Sequence, residues 1–257
     1  MKDPKLGNDV PKLYTELASW FHLLTAPAEY AEDTRFYGDV LQSKCNGPLR
    51  SLLELGSGGG NVASHMKQRF TLTLVDLSPE MIELSKTINP EVEHIIGDMR
   101  SVRLQRVFDA VLIHDAISYI TTESDLRRTL DTAFVHLRAG GAAVFAPDHT
   151  RENFRSTTGC GGHDGERRAM RYMEWLWDPD PDDTTYTHDF AYLLRDSDGS
   201  VHVEHDRHVM GLFGSDVWLR ILTEVGFDAE VLPFDHSKAP SGSDAAFVAI
   251  KRIQVGD

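Results

Sequence analysis

The chain has 257 residues, of which 41% are hydrophobic, and this suits one α/β domain with additional elements around its core. Its 40 acidic and 26 basic residues give a formal net charge of -14, which argues against a nucleic-acid partner because binding to phosphates needs clustered Lys and Arg. The sequence shows no signal region or long apolar span, so we expect a cytoplasmic protein without a membrane partner. Cys45 and Cys160 lack the spacing of a zinc site, and no disulfide is indicated.

Two helices are predicted ahead of the first strand. Apolar residues recur at three- and four-residue steps over 10–24, and a second predicted helix spans 27–45. We assign residues 1–49 to an N-terminal helical cap. Tyr14 and Tyr30 are the residues of this cap best suited to line a site, because a phenol prefers to keep one end in contact with water.

The stretch from Leu52 to Asp76 predicts a βαβ unit, the beginning of a doubly wound sheet. An apolar strand is followed by a glycine-rich turn, a helix and a second strand, and the glycines are Gly56, Gly58, Gly59 and Gly60. Glycine lets the chain turn tightly and lets a ligand approach the backbone. Asp76 follows Gly56 by twenty residues, where this fold places a carboxylate that accepts hydrogen bonds from ribose hydroxyls. The unit therefore predicts an adenosine-containing cofactor.

The spacing of the glycines distinguishes two cofactor patterns. A dinucleotide fingerprint, G-x-G-x-x-G, would need glycine at position 61, where Asn61 stands. The alternative pattern E-x-G-x-G-x-G is complete, with its residues at Glu54, Gly56, Gly58 and Gly60. This pattern resembles the first motif of the class I S-adenosylmethionine-dependent methyltransferases. The resemblance implies an enzyme that binds S-adenosylmethionine and methylates a nitrogen or oxygen of a small molecule, as in secondary metabolism.

The next elements follow the order of the same family. Ser78 and Pro79 are suited to begin a helix after the second strand, and a third predicted strand, 92–96, leads into Asp98 and Met99. In the resembling family an aspartate at this place faces the adenine amino group, and the next backbone amide meets a ring nitrogen. The cofactor site that the resemblance implies consists of Tyr14, Tyr30, Glu54, Gly56, Ser57, Gly58, Asp76, Leu77, Met81, Asp98, Met99 and His114.

The fourth predicted strand, 107–113, is apolar on both faces, as a central parallel strand should be. His114 and Asp115 follow it, at the switch point where open α/β sheets bind their ligands. An amine acceptor must be neutral and an oxygen acceptor must lose a proton, so a histidine is the natural base. His114 is our first candidate and His208 our second, and Tyr14 is a candidate for holding the acceptor. An equally good interpretation is that His114 makes only a backbone contact with the cofactor and takes no part in catalysis.

A change in composition marks an insertion over 150–213, which is polar and rich in glycine and Asp-Pro. Alternating patterns on both sides of the Asp-Gly pair at 198–199 predict an antiparallel hairpin. A helix over 215–225 and two strands in the segment 214–257 return to the core, which otherwise occupies 50–149. We predict an α/β fold with a doubly wound, Rossmann-like sheet of seven mostly parallel strands, an N-terminal helical pair and a small antiparallel insertion.

The insertion is expected to act as a lid over the acceptor or to pair across a homodimer, with 156–165 as its mobile part. Its last segment, 208–213, resembles the aminosugar N,N-dimethyltransferases of actinobacterial antibiotic pathways. The same resemblance is carried by Tyr30-Ala-Glu32 and by Gly97-Asp-Met-Arg100. In the class I methyltransferase family that the chain resembles, an N-terminal helical pair lies across the mouth of the cofactor site, which implies the same position for the N-terminal cap of this chain.

Other interpretations of the sequence concern metals and other cofactors. Four residues with metal-binding side chains would project from one face of a strand, namely His202, Glu204, Asp206 and His208. Strand neighbours at this spacing diverge, so we expect a solvated sheet face and no metal. Two other functions stay open: an adenosine-cofactor binding module without turnover, and a nicotinamide-dependent oxidoreductase. Asn61 and the two leading helices weigh against the oxidoreductase.

Overall fold

The computed structural model describes residues 10–234 and 244–253, which form eleven strands, six α-helices and several short 3-10 turns. The strands are β1 (Ser51–Leu55), β2 (Thr71–Asp76), β3 (Glu93–Ile96), β4 (Phe108–His114), β5 (Leu137–Ala146), β6 (Thr157–Gly161), β7 (Ala169–Trp177), β8 (Thr185–Arg195), β9 (Val201–Gly211), β10 (Phe227–Phe234) and β11 (Asp244–Lys251). The helices are α1 (Phe21–Leu24), α2 (Ala31–Lys44), α3 (Asn61–Met66), α4 (Pro79–Ile88), α5 (Glu123–His136) and α6 (Ser215–Val225).

Seven of the strands form the central sheet, in the spatial order β10-β11-β5-β4-β1-β2-β3. β11 pairs antiparallel with both of its neighbours, and the other pairings are parallel. The predicted Rossmann-like fold is therefore confirmed. The sheet grows outward in opposite directions from β1 and β4, so the crevice at their carboxyl ends is the topological switch point. The division of the chain into four segments stays a prediction.

Helices cover both faces of this sheet. On one face α5 and α6 pack on the strands, and Trp218 of α6 stacks on Phe247 with ring centroids 4.7 Å apart. On the other face α2 and α3 supply the buried side chains of Leu41 and Val62. The parallel strands are thus buried on both sides, which explains their continuous apolar sequences. Among the helices that the structure describes, none combines the length and the apolar character needed to cross a membrane.

The first predicted helix is replaced by two 3-10 turns and the short α1. The carboxylate of Asp206 accepts hydrogen bonds from the backbone N–H groups of Lys12 and Leu13, at 3.0 and 2.9 Å, and Thr15 leaves the helical region with φ -128 and ψ -101. Tertiary contacts therefore override the local periodicity. The apolar residues that suggested a helix are still buried, against the antiparallel sheet, and they include Leu13, Leu17 and Trp20. The second predicted helix is confirmed by α2.

The insertion forms a four-stranded antiparallel sheet in the order β6-β7-β8-β9. The predicted hairpin corresponds to β8 and β9, whereas β6 and β7 were not predicted. Glycine is depleted in strands, and β6 contains Gly159 and Gly161, so its sequence gave no strand pattern. β7 carries exposed Met173 and Trp175 opposite the buried Met170, which removes the alternation expected of a strand. The mobility predicted for 156–165 stays a prediction.

The inner face of β9 contradicts the solvated face predicted for this strand. Asp206 and His208 are both buried, whereas His202 is exposed. The difference arises because the N-terminal segment covers this end of the sheet, and a local pattern does not reveal such a cover. The inner face of the antiparallel sheet consequently faces the switch point of the central sheet. The side chains that the antiparallel sheet presents there include buried polar ones.

One half-buried ion pair holds the amino-end edge of the central sheet together. The register between β4 and β5 shifts at Asp109, and the irregularity directs its carboxylate toward the start of β1. This carboxylate accepts the backbone N–H groups of Arg50 and Ser51, both at 2.9 Å, and the Nε–H of Arg138 at 2.6 Å. Burial alone would raise the pKa of Asp109, but Arg138 and the backbone donors outweigh it and lower the pKa to about 2.

Replacing Asp109 by Asn is therefore expected to lower the free energy of unfolding by about 1–3 kcal/mol at neutral pH, measured by urea denaturation. Because the folded pKa lies below the unfolded value of 3.8, the stabilisation is complete above that value and is lost as the pH falls toward 2. The difference in the free energy of unfolding between the wild type and Asp109→Asn should therefore narrow as the pH falls over that range. Asp131→Asn, which changes an exposed ion pair with Arg103, is the control and should cost about 0–1 kcal/mol. Equal losses for the two variants would contradict the assignment.

Candidate active site

A cavity of about 1550 Å³ lies at the switch point, between the carboxyl ends of the central strands, the N-terminal segment and the antiparallel sheet. Most residues predicted for the site line it, and these are Tyr14, Tyr30, Gly56, Ser57, Gly58, Asp76, Leu77, Asp98, Met99, His114 and His208. Glu54 and Met81 do not line the cavity, since both side chains are fully buried behind its wall. The structure therefore brings together residues that are up to 194 positions apart in the sequence.

The glycine-rich turn after β1 forms a cradle that side chains would fill. Gly56 has a φ of +73, and a Cβ there would lie 2.4 Å from the Cβ of Ala116 in the loop after β4. Its backbone N–H donates to the carbonyl of Val75 at 2.7 Å, which fixes the turn against β2. The hydroxyl of Ser57 is buried and has no hydrogen-bond partner among the residues that the structure describes. A tight glycine turn with an orphaned buried hydroxyl fits a ligand bound in the cradle.

Asp76, at the end of β2, is oriented by the backbone on both sides. One carboxylate oxygen accepts the N–H of Gly58 at 2.7 Å, and the other accepts the N–H of Ser78 at 2.8 Å. Burial raises the pKa of Asp76, and these N–H groups oppose the shift. Each oxygen retains a lone pair, so the carboxylate fits the predicted contact with ribose hydroxyls. Ser78 caps α4 as predicted, by accepting the N–H of Met81 at 3.0 Å.

Asp98 is bound by an arginine that the sequence analysis did not single out. Arg100 donates to both oxygens of Asp98, to Oδ1 at 3.0 Å and to Oδ2 at 2.7 Å, and also reaches Asp125 at 3.1 Å. Burial alone would raise the pKa of Asp98, but the guanidinium outweighs it and lowers the pKa. Asp98 and Met99 therefore form a wall of the cavity whose carboxylate stays ionised. The spacing of Asp98 and Arg100 could have predicted this ion pair, because the side chain of an arginine two residues after an aspartate can reach back to the carboxylate.

His114, at the end of β4, lies between two carboxylates. Its Nε2 is 3.2 Å from Glu54, and its Nδ1 is 3.3 Å from Asp115. Burial lowers the pKa of His114, but the carboxylates of Asp115 and Glu54 outweigh it and raise the pKa to about 10. At neutral pH the imidazole already carries its proton and cannot accept another. The geometry therefore argues against His114 as a base and favours a positioning role.

His208 belongs to a chain of four hydrogen-bonded side chains that ends in the cavity. Its Nε2 is 3.1 Å from Asp206, and its Nδ1 is 2.6 Å from the hydroxyl of Tyr119. The hydroxyl of Tyr119 is in turn 2.8 Å from the hydroxyl of Tyr14. Tyr119 and Asp206 were missed as functional residues. Tyr119 lies in the loop after the fourth strand, where ligands bind in such sheets, and this position was the available signal.

The directions of these hydrogen bonds follow from Asp206. Burial alone would raise the pKa of Asp206, but His208 and the backbone N–H groups of Lys12 and Leu13 outweigh it and lower the pKa. An ionised carboxylate only accepts, so in the neutral imidazole it takes the Nε2–H of His208, and the Nδ1 lone pair faces Tyr119. Tyr119 then donates to His208 and accepts from Tyr14. The chain of hydrogen bonds can therefore pass a proton from the cavity to His208.

Comparisons with known proteins agree with this geometry. Residues 52–141 match the family described as Methyltransferase domain. A Geobacillus sp. (strain WCH70) protein named as a methyltransferase is 24% identical over 255 residues, 93% of this chain and 99% of that protein. A Streptomyces venezuelae dTDP-3-amino-3,4,6-trideoxy-α-D-glucopyranose N,N-dimethyltransferase is 25% identical, covering 79% of this chain and 86% of that protein. The solved structure of a sugar N-methyltransferase from Streptoalloteichus sp. superposes with a TM-score of 0.80 at 22% identity, covering 98% of both chains.

The fold, the glycine cradle and the family match identify the chain as a class I S-adenosylmethionine-dependent methyltransferase, as the sequence analysis predicted. S-adenosylmethionine is its cofactor. The two other functions weighed from the sequence, a binding module without turnover and a nicotinamide-dependent oxidoreductase, are not favoured by the family match. The particular residues that hold the cofactor and act in catalysis remain proposals.

Calorimetry should show that the wild-type protein binds S-adenosylmethionine and not NAD. Asp76→Ala is expected to weaken binding of S-adenosylmethionine by about 1–3 kcal/mol, roughly 5- to 150-fold in Kd, because ribose hydroxyls and two backbone N–H groups lose their partner. Asp131→Asn, far from the cavity, is the control and should bind like the wild type. Unchanged affinity in Asp76→Ala, with thermal unfolding also unchanged, would remove Asp76 from the cofactor site.

Proposed function

We propose that the enzyme methylates an amine or hydroxyl of a small molecule, in secondary metabolism. The observation that carries this proposal is the hydrogen-bonded chain from Asp206 to Tyr14, which leads from the cavity to a buried histidine. The names of two Streptomyces relatives support it, since both are N,N-dimethyltransferases of dTDP-linked amino sugars. The net charge of -14 favours a small molecule over a nucleic acid.

The cofactor residues that we propose lie around the glycine cradle. The turn from Gly56 to Gly58 would hold the methionine part, Asp76 the ribose, and Asp98 with Met99 the adenine. Bound S-adenosylmethionine supplies a methyl group already activated by a positively charged sulfur, so the chain itself must align the acceptor, exclude water and remove a proton. Tyr30 and Tyr14, on the N-terminal segment, line the cavity beside this site.

Proton removal falls to the chain of side chains that ends in His208. The Tyr14 hydroxyl retains a lone pair that can accept a hydrogen bond from the acceptor. A proton taken up there passes through Tyr119 to the Nδ1 of His208, and the resulting imidazolium is stabilised by Asp206. The arrangement resembles the general pattern in which a carboxylate orients a histidine base and stabilises its charged form. We therefore propose His208 as the base, with Tyr14 as the group that contacts the acceptor.

His208→Gln should lower the turnover of an acceptor found by a methyl-transfer screen by roughly 10²–10⁴-fold, because the proton loses its destination. The affinity for S-adenosylmethionine should stay the same, since His208 lies on the acceptor side of the cavity. His202→Gln provides a matched control, because His202 lies on the same strand with its side chain half exposed and outside the cavity. If both variants turn over like the wild type, no protein base is needed, and alignment and water exclusion suffice.

The antiparallel sheet also supports a proposal about assembly. Its inner face covers the cavity as a lid would, and its outer face exposes an apolar set of side chains, which includes Met173, Trp175, Leu193, Val203 and Val209. Exposed apolar surfaces of this kind commonly mark protein interfaces, and we propose that two copies of the chain pair through this face as a homodimer. The cytoplasmic location stays a prediction of the sequence.

Sedimentation velocity tests the pairing. The wild-type protein should sediment as a dimer, and Trp175→Lys should sediment as a monomer that still binds S-adenosylmethionine, because a charge at a symmetric apolar interface meets its own copy or a desolvated neighbour. Lys86→Gln, an exposed change on α4, serves as the control and should remain dimeric. A wild-type monomer at micromolar concentration would refute the homodimer.

A further inference from the structure

Asp115 has a backbone conformation that residues with a side chain rarely adopt. Its φ is 40 and its ψ is -59, at the switch point directly after β4. The surrounding chain holds it there, because its N–H donates to the carbonyl of Ala146 and its carbonyl accepts the N–H of Ser118, both at 2.9 Å. Strain of this kind persists where neighbouring structure fixes it, and it clusters at functional sites. The direction of the Asp115 side chain is therefore imposed by the fold.

The carboxylate of Asp115 is held by one oxygen only. His114 Nδ1 at 3.3 Å and the Tyr30 hydroxyl at 3.4 Å both contact Oδ2. No residue in the described ranges makes a hydrogen bond to Oδ1. The side chain is 49% exposed and lines the cavity. One oxygen is thus anchored, and the other is available to a ligand in the cavity.

This carboxylate lines the same cavity as the Tyr14 hydroxyl, where the proton route begins. Burial raises the pKa of Tyr14, the hydrogen bond to Tyr119 opposes this shift, and the carboxylates of Asp148, Asp115 and Asp76 raise the pKa further. The group that donates to Tyr14 would therefore enter a region of negative potential. Such a region stabilises a cation and repels an anion.

The positive charges of the cavity are already engaged. Three Lys or Arg side chains are among the described residues that line it, and the pairs they form are Lys12 with Glu204 at 2.7 Å, Arg100 with Asp98 at 2.7 Å and Arg207 with Asp189 at 2.8 Å. Each of these positive charges is matched by a carboxylate, and the protonated His114 lies between two, those of Glu54 and Asp115, so the cavity presents no described cation free to bind a phosphate. The charge balance favours an acceptor that is itself positive.

We propose that Asp115 determines acceptor specificity by binding the acceptor nitrogen as a cation, so that the acceptor is an amine rather than an alcohol. This inference rests on the proposed function, because it concerns the acceptor side of the same cavity. Oδ1 of Asp115 binds the ammonium group, and His114 and Tyr30 position the carboxylate through Oδ2. His114 is then a positioning residue. Its protonated imidazole holds the carboxylate of Asp115 in place, which an unprotonated histidine acting as a base would not do.

A carboxylate beside the acceptor nitrogen acts at two stages of nitrogen methylation. It binds the ammonium group first, and it later stabilises the positive charge that returns to nitrogen. The bound ammonium loses one proton to Tyr14 and onward to His208, which frees the nitrogen lone pair. As this lone pair bonds to the methyl carbon, the electron pair of the breaking C–S bond stays on sulfur, and the positive charge returns to nitrogen. A fixed carboxylate beside the nitrogen stabilises that charge as it develops. A methylated alcohol is neutral once its proton has left, so the carboxylate of Asp115 stabilises methyl transfer to an alcohol less than to an amine.

The test compares two cofactor analogues and needs no knowledge of the acceptor. Sinefungin carries a primary amine in place of the transferred methyl group, whereas S-adenosylhomocysteine has a neutral thioether there. Asp115→Asn should weaken sinefungin binding by roughly 10- to 100-fold and leave the S-adenosylhomocysteine Kd within about twofold, as measured by calorimetry. Asn is the matched replacement because it tolerates positive φ better than other residues. Glu123→Gln, an exposed carboxylate paired with Arg220, is the control and should change neither Kd.

Two results would overturn the inference while leaving the proposed function intact. An equal loss of affinity for both analogues would mean that Asp115 supports the cofactor loop, and an unchanged sinefungin Kd would mean that the carboxylate meets no cation. Thermal unfolding of Asp115→Asn separates these results from a general loss of structure. Failure of the wild-type protein to bind either analogue would instead refute the proposed function, and the inference would fall with it.

Discussion

The buried carboxylate of Asp206 is the contact on which the arrangement of the active site depends. Three donors meet it: the backbone N–H groups of Lys12 and Leu13 and the imidazole of His208. Burying a charge is costly unless hydrogen bonds replace its water, and these donors do so. The same contacts hold the N-terminal segment over the cavity, which places Tyr14, and they fix the tautomer of His208. One side chain thus couples closure of the site to the direction of its proton route.

Two histidines at the cavity differ because of what surrounds them. His114 lies between the carboxylates of Glu54 and Asp115, so its proton is retained and it orients its neighbours. His208 lies between one carboxylate and the hydroxyl of Tyr119, so the Nδ1 of its neutral form accepts a hydrogen bond from Tyr119. When two similar groups of one site lie in different environments, one can act as a base while the other keeps a fixed charge. The order of the two candidates predicted from the sequence is therefore reversed in our proposal.

The cofactor half of the site could be predicted because its signals are local. The spacing of Glu54, Gly56, Gly58 and Gly60 defines a turn, and the strand that follows must deliver Asp76 to the same edge of a parallel sheet. The fold follows from the same logic, since continuous apolar runs alternate with helical patterns.

The acceptor half could not be predicted because it is assembled by tertiary contacts. Tyr119 and His208 are 89 residues apart, and nothing in either local sequence shows that they meet. Asp206 looked solvated because alternation along a strand identifies two faces without showing what covers each. The covering segment, around Leu13, is itself irregular because Asp206 holds its backbone N–H groups. The irregular N-terminal segment and the covered face of β9 therefore trace to the same long-range contact.

The most direct test of this account is the tautomer of His208, observed by ¹⁵N NMR of the histidine-labelled protein above neutral pH. The account predicts a protonated Nε2 and an unprotonated Nδ1, because Asp206 takes the Nε2–H and Tyr119 donates to Nδ1. Asp206→Asn should disturb this assignment and release the N-terminal segment. A His208 that is protonated on Nδ1 in the wild-type protein would reverse the hydrogen bond to Tyr119, and it would contradict the proton route from Tyr14 to His208.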